Sequence, residues 1–176
     1  MLSLSRKLCR DEGIVLDEKV YGSESDHNSR NRAIAYLLEN KGIIQNDVER
    51  TLDFYVIMCS LSVTAESLAG LGLDRESGKQ LLSADTVRTV KTIMFTCGMY
   101  DGSGAFAVRV GIPSKSGVGG GILSVVDGRM GIGIFGPSLD AKGNSIAGKK
   151  ALEYLSEKLG LHMFGAGQKT EGEMEE

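Results

Sequence analysis

The chain has 176 residues, of which 41% are hydrophobic and 24% are charged, a composition typical of one globular domain. Its net charge is −3 and it contains no run of basic residues, which argues against a nucleic-acid-binding surface. It shows neither a signal peptide nor an apolar run of membrane length, so we expect a cytoplasmic protein without a membrane span.

The first half of the sequence is predicted to be helical. Apolar residues recur at helical spacing in several segments, for example at Ile34, Leu37 and Leu38 and again at Val48 and Leu52. The segments begin or end at residues typical of helix caps. These are Gly13, Gly42, Asn46, Thr64, Ser83 and Gly98.

The second half changes to the period of a strand. The segment AFAVRVGI alternates apolar and other residues, and Asp127-Gly128 between two β-rich runs is a strong hairpin signal. We therefore predict a three-stranded antiparallel meander over about 105–112, 119–126 and 129–135. A last helix is predicted from a cap near Asn144 to Gly160. This order predicts the α+β class, with helices packed on an antiparallel sheet.

The cysteines do not indicate a metal site. Cys9, Cys59 and Cys97 lie far apart, and no C-x-x-C motif or Cys/His cluster exists. Their odd number and apolar neighbours are typical of buried, reduced thiols in the cytoplasm.

The segment GIPSKSGVGGGI (111–122) has three possible interpretations. As a phosphate loop it fails, because Lys115 follows Ser114 rather than glycine and a predicted strand, not a helix, follows the glycines. The glycines could simply form a bulge or a close backbone approach. Alternatively, Lys115-Ser116-Gly117 matches the K-[ST]-G strand of serine acyl-transfer enzymes, in which lysine and hydroxyl face the cleft.

Several separated blocks together resemble the serine-dependent glutaminase family. They are GMY, RVG-P-KSGVGGG and LDAKGNSIAG in the second half, and SESDHNSRNRAIAYLL and DFYVIMCSLSVT in the first. The resemblance runs to Phe164. It implies a fold like that of β-lactamases and penicillin-binding proteins, and hydrolysis of L-glutamine to L-glutamate and ammonia through a serine acyl-enzyme, without metal or cofactor.

The resemblance also implies roles for particular residues. Glu24 and Asn31 would bind the amino-acid end of the substrate, and their spacing suits two turns of one helix. Tyr55 would line the substrate pocket, with its hydroxyl touching the substrate or the nucleophile. Tyr100 would also contact the substrate and would relay a proton near the reacting centre. Further residues would form the cleft strand and the oxyanion hole: Lys115, Ser116, Gly117 and the N–H of Val118. From the residues alone, each could equally be an ordinary helix, core or turn residue.

The nucleophile of the family lies in an S-x-x-K motif, and no serine here is followed by lysine three positions on. We therefore expect residues 1–164 to be the C-terminal part of one glutaminase domain whose N-terminal part lies elsewhere, followed by an acidic, disordered tail at 165–176. The expected partners are L-glutamine and either a homo-oligomer or the missing half. The alternatives are a non-catalytic binding or complementation module, and another amidase or β-lactam hydrolase of the same fold.

Overall fold

The computed structural model describes residues 1–71, 75–76 and 79–165. The helices are α1 (Leu2–Cys9), α2 (Glu18–Asp26), α3 (Ser29–Asn40), α4 (Val48–Cys59), α5 (Ala65–Leu71), α6 (Ala84–Cys97), α7 (Ser103–Arg109) and α8 (Ile146–Leu159). The strands are β1 (Val15–Leu16), β2 (Leu61–Ser62), β3 (Arg75–Glu76), β4 (Lys79–Gln80), β5 (Ser114–Ser116), β6 (Gly121–Val126) and β7 (Met130–Phe135). The predicted mixture of helices with antiparallel strands is confirmed. None of the described helices is long and apolar enough to cross a membrane.

Contacts divide the chain into two compact units. The N-terminal unit comprises residues 1–7 and 11–63, and the C-terminal unit comprises residues 8–10 and those from Thr64 onward. Most of the predicted acidic tail, from residue 166, lies outside the described residues.

The N-terminal unit is built mainly from helices packed on α4. Both α2 and α3 contact α4, and β1 pairs with β2 through Val15 opposite Ser62. Asp47, rather than the predicted Asn46, caps α4 by accepting the N–H of Arg50 at 2.7 Å. An aspartate carboxylate is a strong cap acceptor, so the start of α4 moves by one residue.

The C-terminal unit contains the three-stranded sheet in the order β5-β6-β7. Both pairings are antiparallel, and the predicted Asp127-Gly128 turn joins β6 to β7 with Gly128 at φ +66°. The core of this unit lies between the sheet and helices α7 and α8, and it contains eight buried residues. They are Met99, Phe106, Val110, Ile112, Ile122, Val126, Leu152 and Leu161.

The prediction of a strand over residues 105–112 is wrong. Residues Ser103–Arg109 form helix α7, and the first strand of the meander is instead Ser114–Ser116. Phe106 and Val110 stand four residues apart and are both buried, whereas Val108 between them is 79% exposed. The apolar pattern therefore follows one face of a helix, and a run this short fits either period.

Burial departs from the sequence pattern in two places. Ile34 and Leu37 are exposed and only Ala35 of α3 is buried, so tertiary packing uses a different face of this helix. Cys9 is buried as expected, but Cys59 and Cys97 are exposed free thiols.

Candidate active site

Strand β5 carries the lysine and serine of the KSG motif at the edge of the sheet. Lys115 pairs with Leu123 of β6, and the N–H of Ser116 donates to the carbonyl of Gly98 at 3.0 Å. Because successive strand residues point to opposite faces, Lys115 is exposed while Ser116 is buried. Lys115 and Ser116 therefore lie on a strand, as the K-[ST]-G interpretation expected, although the predicted meander left them between two strands. Their side chains face different sides, so the expectation that both face one cleft is not met.

Tyr100 lies beside Lys115. The Lys115 ammonium is 4.7 Å from the centre of the Tyr100 ring, within the range of a cation–π interaction. The Tyr100 backbone has φ +51°, in the left-handed region that bulky residues avoid. Such strain concentrates at functional sites, because the surrounding structure must hold the residue in place.

Val118 stands in the tight turn that leads from β5 to β6. The turn is closed by hydrogen bonds from the N–H of Gly117 to the Gly121 carbonyl and from the N–H of Gly120 to the Gly117 carbonyl, both 2.9 Å. Gly120 takes φ +96°, which only glycine adopts readily. Within the described part of the chain, the N–H of Val118 has no acceptor, and the residue is 67% exposed. No acceptor in the described chain therefore competes with an external oxygen for this N–H.

The loop at 139–145 joins these residues into one surface. A Cβ atom built on Gly143 would lie 3.7 Å from both the Tyr100 ring and the Val118 side chain, so the three residues are neighbours. Tyr100 therefore has Lys115, Val118 and Gly143 as neighbours on this surface.

Asp140 organises this loop. Its carboxylate accepts the N–H of Lys142 at 2.9 Å and that of Asn144 at 3.0 Å, and it forms an ion pair with Lys149 of α8. The Lys149 hydrogen bond, followed by the one from the Asn144 N–H, lowers the pKa of Asp140 to about 2.

The Asp140 contacts predict a loss of stability in acid. Because the pKa is lowered from 3.8 to about 2 on folding, the contribution is fully present above pH 4 and is lost as pH falls towards 2. The shift corresponds to about 2 kcal/mol, and we expect about 1–2 because the side chain is 21% exposed. Urea denaturation at pH 5 and pH 2.5 measures it. Asp140→Asn should be less stable at pH 5 and should lose less stability in acid; equal losses in both proteins would contradict the assignment.

The three other predicted residues lie in the N-terminal unit, each on a different helix. Glu24 lies in the last turn of α2 and Asn31 in the first turn of α3, and both are half-buried. The expectation that one helix carries both is wrong, because His27 and Asn28 are not helical and separate α2 from α3. Tyr55 lies on α4 and is 45% exposed, so it is not a core residue.

Two polar links fix the helices that carry these residues. The Tyr21 hydroxyl of α2 donates a hydrogen bond to Asp53 of α4. Tyr21 stands three residues before Glu24 on α2, and Asp53 stands two residues before Tyr55 on α4. The carboxylate of Glu49 on α4 accepts hydrogen bonds from Arg32 at 3.0 and 3.1 Å. The Arg32 guanidinium lowers the pKa of Glu49, and the Asp53 carboxylate raises the pKa of Tyr21. These exposed links join α2 and α3 to α4.

From the sequence, Gly98 and Asn144 were predicted only as helix caps, and no role was predicted for Gly143. A Cβ atom on Gly98 would lie 1.9 Å from the Ser114 carbonyl oxygen, so glycine is what allows β5 to approach the end of α6. Asn144 was predicted only as a helix cap, whereas Ser145 caps α8 by accepting the N–H of Gly148. The only signals were the abundance of glycine and the GNS block itself. Within the described residues, no group of three or more His, Cys, Asp or Glu side chains could hold a metal ion.

Comparison with known proteins identifies relatives along nearly the whole chain. The model of the Glutaminase family matches residues 1–164. A glutaminase of Clostridioides difficile (strain 630) is 52% identical over 171 residues, covering 93% of this chain and 55% of the relative. A glutaminase of Clostridium tetani (strain Massachusetts / E88) is 50% identical, covering 93% of this chain and 56% of the relative. The chain thus spans about half the length of the curated relatives it matches.

Solved structures of glutaminases share the fold. A Bacillus glutaminase crystallised in the presence of 4.3 M NaCl superposes with a TM-score of 0.86 at 35% identity, over 93% of this chain and 58% of that one. A Bacillus subtilis glutaminase in covalent complex with 5-oxo-L-norleucine superposes with a TM-score of 0.85 at 34% identity, over 93% of this chain and 60% of that one. These neighbours have the β-lactamase-like fold that the resemblance implied. The chain belongs to the glutaminase family.

Proposed function

We propose that this chain supplies the glutamine-recognition residues and an oxyanion donor to an enzyme that hydrolyses L-glutamine to L-glutamate and ammonia. The observation that carries the proposal is the N–H of Val118, which has no acceptor in the described chain of this member of the glutaminase family. The Val118 side chain and the Tyr100 ring both lie beside Gly143. The covalent complex of the Bacillus subtilis glutaminase with a glutamine-like ligand supports a covalent intermediate.

The proposed reaction proceeds in two steps. A serine hydroxyl attacks the side-chain amide carbon of glutamine, and the resulting oxyanion accepts a hydrogen bond from the N–H of Val118. The C–N bond then breaks, and Tyr100 relays the proton given up by the serine hydroxyl to the departing nitrogen, so that ammonia leaves. Water attacks the acyl-serine in the second step, the ester bond breaks, one water proton returns to the serine oxygen, and glutamate leaves. The sum is glutamine plus water giving glutamate plus ammonia.

The chain itself offers features for binding rather than for attack. Glu24 provides a carboxylate for the substrate ammonium, and Asn31 provides an amide for its carboxylate. No serine among the 176 residues has a lysine three positions on, which is the pair that activates the nucleophile in this reaction class. We therefore infer that the serine and its lysine come from polypeptide outside residues 1–176, matching the half-length coverage of the relatives.

Ammonia release from L-glutamine tests the proposal. The chain alone should release none above the protein-free rate. Adding a polypeptide that corresponds to the unmatched part of the Clostridioides difficile glutaminase, in trans or fused, should produce turnover. Turnover by the chain alone would contradict our account of the nucleophile. Asparagine and a chromogenic β-lactam, tested alongside, identify an amidase or β-lactam hydrolase of different specificity.

Glu24→Ala is expected to raise KM for glutamine tenfold to a hundredfold in the completed enzyme, because a charge-assisted hydrogen bond to the substrate is lost. The matched control is Glu39→Ala, which removes an exposed carboxylate from α3. It should leave KM within twofold. If both variants behave alike, Glu24 does not bind the substrate.

The missing S-x-x-K motif also favours a second candidate, a glutamine-binding module without catalysis. Isothermal titration calorimetry of the chain with glutamine distinguishes the two. Saturable binding, with no turnover after addition of the complementing polypeptide, would support the module and exclude the enzyme.

A homo-oligomer and a cytoplasmic location remain predictions, which analytical ultracentrifugation and cell fractionation can test.

A further inference from the structure

The backbone around Tyr100 is held by hydrogen bonds on both sides of its left-handed residue. The N–H of Met99 donates to the Ser103 hydroxyl at 3.0 Å, and that hydroxyl donates to the Tyr100 carbonyl at 2.8 Å. The N–H of Gly102 donates to the Met99 carbonyl, also at 3.0 Å. All the partners in these bonds lie within residues 99–103, so the bonds do not fix the segment relative to the rest of the chain.

One further bond ties this segment to a distant part of the chain. The side-chain nitrogen of Asn144 donates to the Met99 carbonyl at 3.0 Å across 45 residues, and Asn144 is only 1% exposed. A carbonyl only accepts, so this contact fixes which end of the amide faces Met99. Asp140, which accepts the N–H of Asn144, holds the residue in place.

Neighbouring contacts of the same loop reach the same segment. The Lys142 ammonium donates to the carbonyl of Asp101 at 3.0 Å. Gly143 lies against the Tyr100 ring and takes φ +85°. The loop therefore contacts the carbonyl before Tyr100, the carbonyl after it and its ring.

We propose that Asn144 is a positioning residue, which holds Tyr100 in the left-handed conformation that places its ring beside the Lys115 ammonium. The catalytic consequence rests on the proposed function, because it requires Tyr100 to act at the reacting centre. The positioning itself concerns this chain alone and can be measured without catalysis.

Fluorine NMR of the full chain labelled with 3-fluorotyrosine tests the positioning. The Tyr100 resonance is assigned with Tyr100→Phe, and Lys115→Met should shift it because the ammonium over the ring is lost. In an Asn144→Ala background, we expect the same Lys115→Met change to shift the Tyr100 resonance by less than half as much. A full-sized shift would overturn the proposal.

Two further variants separate positioning from general destabilisation. Gly102→Ala places a Cβ atom 3.1 Å from the Asn144 nitrogen, so it disturbs the same bond if Asn144→Ala fails to fold. It should also reduce the Lys115-dependent shift. Ser156→Ala is the control, because it removes another buried side-chain donor, to the Val110 carbonyl, and should leave that shift intact. An equal reduction in the control would overturn the proposal.

Kinetics of the completed enzyme separate the inference from the proposed function. Asn144→Ala should lower kcat about tenfold, the equivalent of one hydrogen bond, and leave KM within twofold. If the Lys115-dependent shift is reduced but kcat is unchanged, Asn144 still positions Tyr100, and the catalytic role of Tyr100 is what fails. If the shift is intact, the positioning role fails whatever the kinetics.

Discussion

Replacing Gly98 by alanine is expected to destabilise the C-terminal unit by about 3 kcal/mol or more and to displace strand β5. The new Cβ atom would lie 1.9 Å from the Ser114 carbonyl oxygen and 2.4 Å from that of Met94. Both are backbone atoms of regular elements, so neither can move aside as a flexible side chain would. The conflict resembles severe overpacking, at the upper end of the costs measured for such changes.

The free energy of unfolding, from urea denaturation, measures this effect. The matched control is Gly104→Ala near the start of α7, where a Cβ atom would meet nothing within 4 Å. It should be neutral or stabilising by up to about 1 kcal/mol, because alanine favours helix. Similar midpoints for Gly98→Ala and the wild type would show that α6 and β5 do not need this close approach.

Gly98 shows which part of the fold could be predicted from the sequence and which part could not. It was predicted as the residue that ends a helix, and α6 does end at Cys97 just before it. Its φ of −71° is one that any residue adopts, so the need for glycine comes from the close carbonyl oxygens of Ser114 and Met94 rather than from φ. A contact of this kind depends on how elements pack, and no local pattern encodes it.

Helix and strand were confused only where the segment is short. The long segments starting at Ser83 and near Asn144 were predicted as helices, and both are helices of 14 residues. The segment at 105–112 supports both periods, because Phe106, Val108 and Val110 fit alternation while Phe106 and Val110 fit a helical face. Burial against α8 and the sheet decides between them, and that information is not local.

The candidate site was predicted in its residue types rather than in its arrangement. The KSG motif indicated a strand of an acyl-transfer cleft, and Lys115 does lie on an edge strand. The contact between Lys115 and Tyr100 joins residues from two elements, which spacing alone does not predict. Likewise, the seven-residue spacing of Glu24 and Asn31 suggested one helix, but α2 ends and α3 begins between them.

Replacing Val118 by proline is expected to lower kcat for glutamine a hundredfold to a thousandfold in the completed enzyme. Proline removes the backbone N–H that the proposal assigns to the oxyanion, and losing one such donor has effects of this size. The donor matters mainly when negative charge develops on the oxygen, so KM should change little. Steady-state ammonia release at several glutamine concentrations measures both constants.

Val118→Ala is the matched control, because it keeps the N–H and shortens the side chain of a residue that is 67% exposed. Its kcat should remain within about twofold of the wild type, since shortening a largely exposed side chain has a small effect. Proline also constrains Gly117 before it, so the α-hydroxy analogue of valine, which replaces the N–H by an ester oxygen, serves as an independent variant. The ester should lower kcat to a similar extent as proline. Normal turnover by the ester variant would remove Val118 from the oxyanion hole and leave the turn between β5 and β6 with a purely structural role.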